Sequence, residues 1–156
     1  MPSLARIDPW DIEQFVVFSM EKDFLLGRGL EKKFWASIGH YPNGHLFVFK
    51  TTASRVQWYK DQGDDRMRGV VLYGAGQLPC FPRETIIELD NGFEISYEEI
   101  RERQRERTFQ IEQKLPDDFP IILRNRIDNS ITLDGIQRAA IANALAHPRG
   151  SNPSRG

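Results

Sequence analysis

The chain has 156 residues, 40% of them hydrophobic and 28% charged, with a formal net charge of -1. That length suits one domain with a core of its own, and the near-zero charge excludes a surface that is basic throughout. The lone cysteine, Cys80, excludes an intramolecular disulfide, and no apolar run approaches the length of a membrane span.

Residues 1–7 read as a lead-in. Asp8-Pro9 reads as a helix N-cap followed by proline at the first helical position. Ile7 and Ile12 sit where a hydrophobic staple would. The expectation is an N-terminal helix from about Pro9 to Met20, against the pull of Phe15-Val16-Val17-Phe18, a run that also suits a strand. Asp23-Phe24-Leu25-Leu26 predicts a first strand, ended by a loop at Gly27-Arg28-Gly29.

The centre of the fold is expected at Lys32 to Gly39 and His45 to Thr52, two runs rich in aromatic and β-branched residues. Pro42-Asn43-Gly44 supplies the backbone angles of a reversal between them. In an antiparallel pair the start of the first strand lies beside the end of the second, so Lys32 and Lys33 are expected near Thr51 and Thr52.

Ser54 reads as the cap of a short helix, Arg55 to Lys60, and Gln62-Gly63-Asp64-Asp65 as a turn. Gly69 to Tyr73 predicts a strand. Thr85 to Leu89 and Phe93 to Ser96 alternate around Asn91-Gly92, the preferred pair for a tight hairpin turn. Ser96 and Glu99 form a capping box that opens a helix of balanced acids and arginines. Thr108 to Leu115 reads as a further strand or an extended crossing. Helices are expected from Pro116 to about Asp128 and after Thr132-Leu133-Asp134.

These elements predict an α+β fold: a small curved antiparallel sheet or SH3-like barrel with an N-terminal helix and C-terminal helices. Residues 1–148 form a single expected domain, with a barrel core at about 23–107, C-terminal helices at about 116–147 and a disordered tail at 149–156. The first residues lack a basic-then-apolar export pattern. The single cysteine suits a reducing compartment. A cytoplasmic protein is the expectation.

Charge is unevenly placed. From Lys22 to Lys60 there are seven basic residues and two acids. Such a face can hold a phosphate backbone, though lysine on strand edges also blocks unwanted pairing. No phosphate loop, dinucleotide fingerprint or zinc spacing occurs, so no cofactor or metal is expected. His40 and His45 flank a turn with no third ligand in view and read as exposed turn residues. Cleavage of RNA without metal needs a base for the 2′-hydroxyl, a cation for the phosphate and an acid for the leaving oxygen. The candidates are Lys33, Thr51 and Thr52 for chemistry, with Lys32, Arg28, Lys50 and Arg55 for RNA binding.

The order Asp23-Phe24-Leu25-Leu26, glycine loop, Lys32-Lys33-Phe34-Trp35-Ala36-Ser37-Ile38 and Phe47-Val48-Phe49-Lys50-Thr51-Thr52 resembles the opening of MazF/PemK-like toxins. Ile86-Ile87-Glu88-Leu89 and the Ser96-capped helix resemble that family's closing strand and helix. The resemblance covers roughly Asp23 to Arg107. It implies an SH3-like barrel, a homodimer, and a metal-independent endoribonuclease that cuts single-stranded RNA and is neutralised by an antitoxin. Lys33 falls at the family's catalytic arginine, and Thr52, or Thr51 with a one-residue shift, at its threonine. Lysine lacks the arginine fork that grips phosphate in two places, and Phe34 replaces the family's proline. Those departures suit a relative that binds RNA without cutting it. Two other readings are a non-catalytic SH3-like interaction module of a phage or mobile element, and a structural protein that oligomerises through its terminal helices.

Overall fold

In a computed structural model, residues 6–22, 27, 29, 31–127 and 133–146 are described. Asp8 caps as its chemistry requires, its carboxylate accepting from the Trp10 N–H at 3.1 Å. The helix it starts closes after one 3-10 turn, Pro9–Asp11, and Ile12 is already extended at φ -65°, ψ 120°. The expected helix to Met20 is therefore corrected to a strand, β1 (Val16–Lys22). Packing decides this. Val17 enters one hydrophobic core, while Val16, Phe18 and Met20 enter the other. A strand buried on both faces satisfies all four residues, whereas a helix presents one apolar stripe.

The remaining strands are β2 (Glu31–Tyr41), β3 (His45–Thr52), β4 (Val70–Tyr73), β5 (Thr85–Ser96) and β6 (Phe109–Lys114). They form a six-stranded sheet in the order β4-β5-β3-β2-β1-β6, every pair antiparallel. Irregular register within β1–β6, β2–β3 and β3–β5 goes with its curvature. The sheet is open, with β4 and β6 as its edges, so the expected SH3-like barrel is corrected. A barrel encloses one interior, but here both faces of the central strands are covered by helices. On one face lie α4 (Phe119–Arg126) and α5 (Gly135–Ala146), through Phe119, Leu123, Ile141 and Ala144. On the other lie the 3-10 turn and α3 (Tyr97–Arg105), through Ile12, Tyr97 and Ile100. Two short helices, α1 (Val56–Gln62) and α2 (Asp64–Met67), cover the β4–β5 corner.

The β2–β3 hairpin turns as expected, with Gly44 at φ +84° and its N–H donating to Tyr41 O at 3.2 Å. The expected Asn91-Gly92 hairpin is absent. Thr85 to Ser96 is one strand, and Leu89, Asp90 and Asn91 form a bulge between the pairs Phe49–Gly92 and Lys50–Glu88. Glycine is required at position 92 for space: a Cβ there would lie 2.9 Å from the Phe47 ring. Gly39 plays the same part under α5, where a Cβ would meet Ala144 at 3.3 Å. The N-cap of α1 is Arg55 in place of the expected Ser54, with no side-chain capping bond, and the turn expected at Gln62 to Asp65 instead leads into α2. Ser96 does cap α3, accepting from the Glu99 N–H at 3.1 Å. At the β4 edge, Arg126 of α4 donates to the carbonyls of Met67 and Val70. The strand expected at Asp23 to Leu26 and the tail at 149–156 lie outside the described residues. No helix among the described residues is long and apolar enough to cross a membrane, which leaves membrane β-barrels unaddressed.

Candidate functional site

The register Trp35–Lys50 carries the hairpin on to its open end. There the Thr51 hydroxyl donates to the Phe34 carbonyl at 2.9 Å. The chain then leaves the sheet through Ala53 and Ser54 to Arg55, at the start of α1. A cleft of about 450 Å³ opens between this end and the loop before β5, which contributes Cys80 to Arg83. Lys32, Lys33, Lys50, Arg55 and Arg83 line it, against a single carboxylate among the described residues, Glu31. Among the described residues, the sequence-nominated Lys32, Lys33, Lys50, Thr51, Thr52 and Arg55 therefore all border one concave surface. Arg28 lies outside the described residues. Arg83 went unread because it sits in an irregular proline-flanked stretch, and its proximity arises only from the pairing of β5 with β3.

The cations are not equivalent. Lys32 Nζ lies 3.4 Å from Glu112 Oε1 and 5.4 Å from the Phe34 ring centroid, so part of its charge is already answered. Lys33, one residue on, projects from the opposite face of β2, beside Met20 of β1. Arg55 is held from behind. Its Nη1 lies 3.3 Å from Oε2 of Glu88, a wholly buried carboxylate that also accepts from the Tyr59 hydroxyl at 2.7 Å. Its guanidinium lies over the Trp58 ring at 4.7 Å. Pinning a guanidinium this way lowers the entropy lost when it grips a ligand.

The hydroxyls are less available. The Thr51 proton is directed at the backbone, which leaves its oxygen as an acceptor towards the cleft. Thr52 Oγ1 and Ser54 Oγ share a hydrogen bond at 3.1 Å. Burial, followed by the Glu112 charge, pushes the Cys80 thiol up to about 11, so it is protonated at neutral pH and a poor nucleophile.

The two histidines stand elsewhere. His40 is not an exposed turn residue. It is buried in β2, where Nε2 donates to Ile12 O at 2.8 Å and Nδ1 accepts from the Tyr97 hydroxyl at 2.5 Å. His45 Nδ1 meets Glu94 at 3.3 Å. No three His, Cys, Asp or Glu side chains gather as a metal ligand set among the described residues.

A second cleft, of about 620 Å³, adjoins the first and runs along the sheet towards α3. Lys33 and Lys50 line both. Met20, Trp35, Phe93 and Ile95 give the second one apolar surface, and Glu94 and Glu99 give it acids.

No family model and no curated protein matches this chain. The resemblance to MazF/PemK-like toxins is corrected accordingly. The open sheet and the five helices of the described residues are not that family's closed barrel, and the basic strand end alone does not carry membership.

Proposed function

We propose that the chain binds single-stranded RNA, gripping its phosphate backbone in the basic cleft. The observation that supports this is that Lys32, Lys33, Lys50, Arg55 and Arg83 border one cleft, with Glu31 as the single acid among its described lining residues, although Lys32 and Arg55 are paired with Glu112 and Glu88 and Lys33 enters from the face of β2 opposite Lys32. Such focusing raises the local potential even where the molecule as a whole is near neutral. Binding is better supported than cleavage. The Thr51 hydroxyl donates to the backbone, the cysteine is protonated, and Glu31 is the only carboxylate among the described lining residues.

The resemblance implies a homodimer and an antitoxin-like partner, and the apolar faces of the C-terminal helices also suit a protein partner. Of those faces, Phe119, Leu123, Leu133, Ile141 and Ala144 are buried in the core, while Ile121 and Ile136 stay exposed; RNA is the partner we propose.

Fluorescence anisotropy with a labelled single-stranded RNA, repeated over a salt series, tests the reading. The expected affinity falls as salt rises, and Arg55→Ala reduces the slope by about 0.7, the change for one phosphate deprived of its cation. Absence of binding at low salt overturns it. The same incubation with EDTA separates binder from nuclease. Intact RNA is expected; a 2′,3′-cyclic phosphate product that disappears with Lys33→Ala would make the cleft catalytic.

A further inference from the structure

The second cleft differs in kind from the first. Its floor is apolar, and Phe93 remains 45% exposed although it stands beside the fully buried Val48 in the next strand. The cover that α3 gives the sheet stops short of that ring. An exposed phenylalanine in a concave place, with Trp35 and Ile95 beside it, offers a flat surface for another flat group. The charges around it are ordered. Lys33 and Lys50 stand on the side shared with the basic cleft, while Glu94, Glu99 and His45, whose Nδ1 lies 3.3 Å from Glu94 Oε1, line this cleft only. A ligand matching that order is anionic where it meets the first cleft, aromatic in the middle, and a hydrogen-bond donor at its other side.

A nucleotide has this polarity. Its phosphate meets lysine, its base stacks, and the edge of the base faces outward. A carboxylate accepts from the exocyclic amino group of cytosine. Uracil presents a carbonyl oxygen at the same position, which a carboxylate repels. Stacking on a side chain also requires that the base be unpaired.

We propose that the second cleft seats an unpaired, amino-bearing nucleobase of the strand whose phosphates lie in the first. This rests on the RNA-binding reading above and adds to it a seat for the base and a preference for amino-bearing bases.

The test uses the full chain and three labelled probes: ten-nucleotide oligomers of cytidine and of uridine, and an RNA duplex. Inorganic polyphosphate serves as the phosphate-only competitor. The cytidine oligomer is expected to bind about tenfold tighter than the uridine oligomer. Phe93→Ala, at an exposed position that leaves the core intact, is expected to weaken cytidine binding by about tenfold while polyphosphate competes as before. Phe93→Trp should restore it, and the double change Glu94→Gln, Glu99→Gln should bring the two oligomers together. Equal affinity of the parent for cytidine, uridine and duplex overturns the inference and leaves the phosphate reading standing. So does unchanged binding by Phe93→Ala when Lys50→Ala weakens all probes. If the parent binds neither oligomers nor polyphosphate, both readings fall together.

Discussion

The two ends of the β2–β3 hairpin are made of the same strands and opposite chemistry. At the turn end, His40 is enclosed by Trp10, Ile12 and Tyr97, with both ring nitrogens bonded. Tyr41 beside it is buried, and its hydroxyl has no hydrogen-bond partner among the described residues. At the open end, lysines and an arginine line an open cleft. Polar groups at the first end hold the 3-10 turn and α3 onto the sheet, whereas those at the second border the cleft proposed to bind RNA. Stability and the proposed binding therefore fall at opposite ends of one hairpin, and substitutions can separate them.

The largest expected effect is at the turn end. His40→Ala empties a buried site and leaves the Ile12 carbonyl and the Tyr97 hydroxyl without their partner, which should lower unfolding free energy by roughly 3 kcal/mol. Urea denaturation measures it, and RNA affinity of the folded fraction should not change. Next comes alkaline pH. Burial, with smaller contributions from Glu94 and Asp134, pushes the Tyr41 hydroxyl up to about 12 from its usual 10. Burial and Asp118 do the same to Tyr73. The folded state thus keeps protons that the unfolded chain releases. Stability from these groups is complete below about pH 10 and is lost as pH rises from 10 through about 12. Tyr41→Phe should be nearly neutral at pH 7, since it removes a buried hydroxyl with no partner bond to break, and should flatten the alkaline fall. A fall of equal steepness in the variant would place the titration elsewhere. The smallest stability effect belongs to the open end. Lys33→Ala should shift unfolding by less than about 0.5 kcal/mol while weakening RNA binding severalfold; a large stability loss would show that Lys33 serves the fold.

Much of this contrast was legible in the sequence where the signal is local. Pro42-Asn43-Gly44 fixed the turn, Ser96 its helix, and antiparallel pairing brought Lys32 and Lys33 to Thr51 and Thr52. The failures are non-local. Asp8-Pro9 does start a helix, but the path of the chain beyond Ile12 is decided by β2 and β6, the neighbours of β1. Asn91-Gly92 carries a turn signal, yet the glycine answers to the Phe47 ring. In the site, Arg83 and the buried anchor Glu88 come from beyond the hairpin. The second cleft was hidden because Phe93 alternates like a core residue. Only the place where α3 ends its cover reveals the exposed ring.

An open sheet has two strands that a closed barrel would not, and each is a template on which another chain can grow. This protein restricts both. β4 is only four residues long, and Arg126 occupies the Val70 carbonyl there. β6 alternates Glu112 and Lys114 with its apolar residues. A strand arriving from a second molecule meets a short, occupied ladder at one edge and charge at the other. Resistance to filament growth in crowded conditions thus depends on a handful of side chains at the sheet's margins, one of which, Glu112, also answers Lys32 of the basic cleft.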